Sequence, residues 1–169
     1  LINTVNTEQT AITVVSTATS GDTSTVTADV LNAITGLTGV DTANNLAAYK
    51  VAIAAVINAT GLDELTEIQT LINTVNTEQA AIAASNAAIL AVSNAAANSN
   101  ASALTIPVLN SIMGLNGEVV ANIEAYKAAI AAVANAAELD ELTEIQTLIN
   151  TVNTEQTAIT VVSTATTGD

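Results

Sequence analysis

The chain has no cysteine, histidine, tryptophan or phenylalanine, one proline, and two basic residues among 169. Each absence removes something. Without cysteine there is no disulfide framework and no thiolate metal site. Without histidine the commonest general base and the commonest metal ligand are gone. The aromatics come down to two tyrosines, so the stacking platforms that hold single-stranded nucleic acid are missing. Sixteen acidic residues against two lysines give a formal charge of −14. Duplexes and anionic membrane surfaces repel such a chain, because affinity there comes from lysine and arginine at phosphates. No nucleic-acid partner is expected.

What is present is small and apolar. Half of the residues are hydrophobic, mostly Ala, Val, Ile and Leu, and the polar remainder is dominated by Thr, Asn and Ser. That apolar content, regularly spaced, disfavours disorder. From Gln79 to Gly117 no residue is charged, and the run AAIAASNAAILAVSNAAA within it has a helical composition. Alanine is only weakly apolar, and Asn86, Ser93 and Asn94 interrupt the run, so membrane insertion is not expected. The chain begins without Met and shows no signal peptide, which reads as a segment of something longer.

Repetition dominates the organisation. LDELTEIQTLINTVNTEQ occurs at Leu62–Gln79 and again, letter for letter, at Leu139–Gln156. Residues 1–22 and 148–169 differ only at Ser20 and Thr167. LINTVN begins at Leu1, Leu71 and Leu148, so the chain holds two full periods, the second longer than the first, and the start of a third. A repeat of that size decides the architecture before any other feature. The boundaries that follow are a first helical repeat at 1–61, a second at 62–138, and the first helix of a truncated third at 139–169.

Within a period three apolar segments follow one another. The long one places Leu65, Ile68, Ile72, Val75, Gln79 and Ile82 at alternating steps of three and four, and Leu142, Ile145, Ile149, Val152, Gln156 and Ile159 repeat it. The short one is ADVLNAITGL (28–37) or IPVLNSIMGL (106–115). The third, at 44–59 and 121–136, carries Leu46, Tyr49, Ile53 and Val56, or Ile123, Tyr126, Ile130 and Val133. These are helical stripes, and the alternation of a strand is absent. Gly36 and Gly114 sit where a left-handed cap ends a helix. Asp41 stands at an N-cap position, and Pro107 fits a first turn. Gly61 against Glu138 at the aligned position predicts a defined break at the first junction and more nearly continuous helix at the second. The fold expected is all-α: tandem three-helix-bundle repeats forming an elongated rod.

Few residues invite a site. Tyr49-Lys50 and Tyr126-Lys127 hold every tyrosine and lysine in the chain. They read as partner contacts, or as seam-filling tyrosines beside lysines that offset carboxylates, and their seam positions favour packing. Gln9, Gln79 and Gln156 read as register-setting or partly exposed seam residues. Asp63, Glu64 and Glu67, with Asp140, Glu141 and Glu144, read as first-turn acids favoured by the helix dipole. They do not follow the alternation of an EF-hand loop. No Gly-rich phosphate loop is present, so neither catalysis nor a metal or cofactor is expected.

The stretch GVDTANNLAAYKVAIAAVINATGLDELTEIQTLINTVN (39–76) resembles the helical tandem repeats of very large secreted surface proteins and adhesins of Gram-negative bacteria, which carry variants of NLAAY, AIAA and LxELQxLIxxVN. The resemblance covers essentially the whole chain. It implies an extracellular or cell-surface protein of type I-secreted kind with many modules in series. A weaker resemblance, in AYKVAI and LTEIQTLI, is to the albumin-binding three-helix module of Gram-positive surface proteins. The polar contact residues of that module are mostly Ala or Thr here, so albumin binding is not carried over. The function expected is a structural spacer that extends or displays other domains, with neighbouring repeats of the same chain as partners. The alternatives are a repeat interaction module for a host protein or matrix, and a self-associating subunit of a surface layer or filament.

Overall fold

The computed structural model describes residues 2–19 and 21–166. The fold class is all-α: among those residues there is no strand. The helices are α1 (Ile2–Thr17), α2 (Ala28–Asn32), α3 (Leu46–Ala55), α4 (Leu65–Ala97), α5 (Ile106–Asn110), α6 (Ile123–Ala132) and α7 (Leu142–Thr166). Three single 3₁₀ turns lie at Ala59–Gly61, Val120–Asn122 and Ala136–Glu138.

The chain divides into two compact units, Leu1–Ala80 and Ala81–Asp169. The first buries Ala11, Val15, Val26, Leu31, Tyr49, Ile53, Ile68 and Ile72 in one core. The second buries Ala88, Val92, Leu104, Leu109, Tyr126, Ile130, Ile145 and Ile149. The first unit holds α1, α2, α3 and the first half of α4; the second holds the rest of α4, α5, α6 and α7. The packing boundary therefore falls inside α4, whereas the periods count sequence copies from Leu62 and Leu139.

Sequence and packing also align α1 with α4 differently. Matching LINTVN at Leu1 to LINTVN at Leu71 sets Ser16 opposite Asn86. In the fold its counterpart is Ser93: the Ser16 hydroxyl donates to the Ala59 carbonyl, and the Ser93 hydroxyl donates to the Ala136 carbonyl. The offset from Asn86 to Ser93 is close to two helical turns, so the longer second period keeps the apolar stripe on one face. By length and composition α4 could cross a membrane, and 28% of its most apolar stretch is buried inside the protein, Ala88, Val92, Ala95 and Ala96 among it.

Local chemistry starts and stops these helices as their residues dictate. Thr27 and Thr105 accept the N–H of Val30 and Val108 with their hydroxyl oxygens, at 3.3 and 3.4 Å. Pro107 lies in the first turn of α5. Gly36 and Gly114 adopt φ of +87° and +86°, the left-handed conformation that L-residues resist, but they close the turn that follows rather than the helix, whose C-caps are Ala33 and Ser111. The Glu67 carboxylate reaches back to the N–H groups of Asp63 and Glu64, and Glu144 does the same for Asp140 and Glu141. These acids thus cap α4 and α7 in the manner of a capping box. Asp41 is not the N-cap of α3, which is Asn45. Its carboxylate instead accepts from the backbone and side chain of Asn44 in the preceding turn.

The junction expectation holds at the first joint, which is a defined break, and is overturned at the second. α3 and α6 both stop before the valine at which the chain turns extended, Val56 (φ −73°, ψ 119°) and Val133 (φ −69°, ψ 123°). A 3₁₀ turn capped by Asn58 or Asn135 follows. Leu62 and Leu139 then share φ near −146° and −142° and are buried. Glu138 does not continue the helix, and Gly61 uses no left-handed backbone. Burial of the leucine and the asparagine cap, common to both joints, outweigh the propensity difference at one position.

Gly61→Ala is accordingly expected to change unfolding free energy by less than about 1 kcal/mol, since its φ is ordinary and the added Cβ meets only the tip of Val56 at 3.0 Å. Gly36→Ala, at φ +87°, is expected to cost about 1–2 kcal/mol. Urea denaturation of the two variants checks the contrast, and equal losses would contradict it.

Candidate functional site

The tyrosine positions singled out by the sequence are interior. Tyr49 and Tyr126 are 0% exposed, on α3 and α6, one α-helical turn before Ile53 and Ile130. A phenol so placed needs partners for its hydroxyl. The Tyr49 hydroxyl donates to Asn76 Oδ1 and accepts the Asp41 N–H at 3.0 Å. Asn76 Oδ1 also accepts from Asn45 Nδ2 at 2.9 Å, and Asn76 Nδ2 donates to the Gly39 carbonyl at 2.7 Å. The second unit rebuilds the set: Tyr126 with Asn153, the Val119 N–H, Asn122 and the Gly117 carbonyl. One asparagine carboxamide on a long helix thereby ties together a tyrosine helix, its first turn and the loop before it.

A second clamp lies about two turns earlier on the same helices. Gln69 Oε1 accepts the Thr38 N–H at 2.8 Å and its Nε2 donates to the Thr38 carbonyl at 2.9 Å. Gln146 makes the same pair with Asn116, at 2.9 and 2.8 Å. The primary amide pairs with a loop peptide as a neighbouring strand would. Asn73 and Asn150 accept the second N–H of each glutamine.

The two sets differ by one residue, and the difference has a place. The Asn45 N–H bonds the Asp41 carbonyl, four residues back; the Asn122 N–H bonds the Val119 carbonyl, three back. An α-type turn has become a 3₁₀ turn, and the asparagine still arrives at its partner. Glu118 follows Gly117 as Val40 follows Gly39, and its Oε1 is shielded without a hydrogen-bond partner, an unfavourable arrangement that valine avoids.

The lysines are the accessible members of the expected pairs. Both are half-buried. Lys127 Nζ lies 2.9 Å from Glu124 Oε1, a surface pair of small energetic weight. Lys50 acts at longer range on Asp22, whose carboxyl is held below its ordinary range mainly by the Ser24 N–H. Gln9 is exposed, while Gln79 and Gln156 are half-buried. The sequence reading passed over Asn76, Asn153, Gln69 and Gln146. For the two asparagines the signal was the equal 27-residue distance from each tyrosine to an asparagine of LINTVN.

In each unit the tyrosine helix and the start of the long helix leave a groove, of 620 Å³ in the first and 560 Å³ in the second. Thr66, Thr70 and Glu78 line one, and Thr143, Thr147 and Glu155 the other, over Val56 and Leu62 or Val133 and Leu139. Thr70 and Thr147 donate their hydroxyl hydrogens to carbonyls four residues back, a local pairing that occupies the donor. Among the described residues no three acidic side chains converge as a metal cluster would require. The chain matches no family model, no curated protein and no solved structure.

Tyr49→Phe strips the Asp41 N–H and the Asn76 carboxamide of a partner each and is expected to cost about 1–3 kcal/mol. Tyr126→Phe should cost a similar amount. In a double-mutant cycle, Tyr49→Phe and Asn76→Ala should be non-additive by about 0.5–3 kcal/mol; strict additivity would show that the pair is not coupled. The Asp41 carboxyl is held below 3.8 by the Asn44 side-chain and backbone N–H groups. Its folded value is depressed, so its contribution to stability is present above 3.8 and is lost as pH falls through the folded value. Carboxyl-carbon NMR titration should give a midpoint below 3.8 for Asp41, and a midpoint at or above it would contradict the Asn44 contacts.

Proposed function

We propose that the chain is a structural spacer: a run of tandem three-helix repeats forming an elongated rod that extends or displays other domains of a large bacterial cell-surface or secreted adhesin. The observation that carries this reading is that one hydrogen-bonded constellation, Tyr–Asn–Asn with a glycine carbonyl, is built twice from the same residues. Duplicated architecture of this kind serves length and stiffness, which accumulate with copy number. The most distinctive side chains of each repeat, Tyr, Gln and Asn, are engaged in holding helices together. The resemblance of residues 39–76 to secreted adhesin repeats supports the extracellular setting, as do the acidity and the lack of cysteine.

Small-angle scattering tests it. A compact chain of 169 residues has a radius of gyration of about 15 Å. A rod is expected to exceed that clearly, and a chain with Leu62–Glu138 inserted once more should lengthen by a constant increment. A radius close to the compact value, growing only as a globule grows, would sink the spacer reading.

A further inference from the structure

The two joints between a tyrosine helix and the next long helix share a backbone but not a surface. Asn58 (φ −134°, ψ 131°) and Asn135 (φ −134°, ψ 120°) adopt the same conformation. The Oδ1 of each accepts the N–H two residues on, from Thr60 at 3.3 Å and from Ala137 at 3.1 Å. Around that common turn three side chains differ: Ile57 corresponds to Ala134, Thr60 to Ala137 and Gly61 to Glu138. Only the first joint therefore spells Asn-Ala-Thr, the triplet in which a surface asparagine amide accepts a sugar. Asn100-Ala101-Ser102 is the other such triplet in the chain, and it makes the same turn, with the Ser102 N–H donating to Asn100 Oδ1 at 3.1 Å. One triplet falls in each compact unit.

The atoms that a transfer needs are open at the first joint. Asn58, Ala59 and Thr60 are exposed. Among the described residues neither Asn58 Nδ2 nor the Thr60 hydroxyl meets a hydrogen-bond partner. The Nδ2 groups of Asn45, Asn76, Asn98 and Asn116, by contrast, are all engaged. The turn holds the carboxamide by its oxygen and leaves the nitrogen to solvent. The other two differences point the same way. Gly61 has an ordinary φ, so the backbone gives no reason for glycine there. Beside an acceptor it removes the carboxylate that Glu138 brings to the second joint, and a carboxylate repels a donor that carries phosphate. Ile57 is 90% exposed, the most of any large apolar side chain among the described residues, and a linked sugar is bulky and solubilising.

We propose that Asn58 is a site of N-linked glycosylation, with Asn100 as the second site, and that the sugar on Asn58 covers Ile57. A separate glycosyltransferase carries out the step on the folded chain. Asn58 Nδ2 bonds to the anomeric carbon of a sugar supplied as its nucleotide diphosphate. The bond from that carbon to the phosphate oxygen breaks, the nucleotide diphosphate leaves with the electron pair, and Nδ2 gives up one proton. Asn135 has the same backbone and the same turn, but it lacks the hydroxyl two residues on and stays bare. This inference does not rest on the spacer reading.

The test is incubation of the folded full chain with UDP-glucose and a soluble N-glycosyltransferase that takes Asn-X-Ser/Thr, read by intact mass and peptide mapping. Hexose is expected on Asn58 and Asn100 and not on Asn135. Thr60→Ala should leave Asn58 bare while melting as the parent does, because the asparagine cap is kept and the lost hydroxyl had no partner. Ala137→Thr should open Asn135 to the enzyme. On a hydrophobic-interaction column the modified chain should elute earlier than the bare one, and the unmodified Ile57→Ser variant should show a similar shift. Three outcomes would each overturn the proposal. One is an Asn58 that stays bare in the folded chain while a synthetic peptide of residues 54–64 is modified in the same tube. The second is hexose on Asn135 of the parent or on Asn58 of Thr60→Ala. The third is unchanged column retention after modification of Asn58, which would remove the cover over Ile57.

Discussion

A tyrosine hydroxyl enclosed among aliphatic side chains has to be answered by donors and acceptors at fixed positions, because an unmet polar group in such surroundings costs about 1–3 kcal/mol. In this protein the answer comes from one asparagine on a long helix, Asn76 or Asn153. Much else follows from that bond. It sets the height of α3 against α4 and of α6 against α7. It brings the Gly39 and Gly117 carbonyls to the asparagine amide, which both glycines allow through positive φ. The one-residue difference between the units is absorbed in the turn before the tyrosine helix, and the bond itself is kept.

Long helices poor in charge pose a second problem, since their exposed faces have few ion pairs to lean on. Here threonine supplies the surface. Thr70, Thr74, Thr147, Thr151 and Thr160 each donate a hydroxyl to a carbonyl four residues back. Such pairing lets a β-branched polar residue sit in a helix with its donor occupied. The result is a polar face without lysine.

Sharing of helices is the third consequence. α4 gives Ile68, Ile72 and Val75 to one core and Ala88, Val92 and Ala95 to the other. A helix that serves two cores has two apolar stretches to cover. In α7 only the first is covered, and in α1 only the second.

The stripe of Ile68, Ile72 and Val75, the left-handed Gly36 and Gly114, and Pro107 in a first turn were all legible in the sequence, because each rests on interactions within a few residues along the chain. So was the burial of Tyr49 and Tyr126, from their places on an apolar seam. The sequence did not reveal where α3 and α6 end, that Gly61 and Glu138 occupy the same backbone, or that Asn76 and Gln69 are the residues that fix the loops. Those were decided by tertiary structure. Propensity at Gly61 against Glu138 differs by less than about 1 kcal/mol, and burial of Leu62 and Leu139, with the Asn58 and Asn135 caps, outweighs it. A polar side chain on a helix likewise reads as solvent-facing until the partner that turns it inward, 27 to 31 residues away, has been brought to it by the fold.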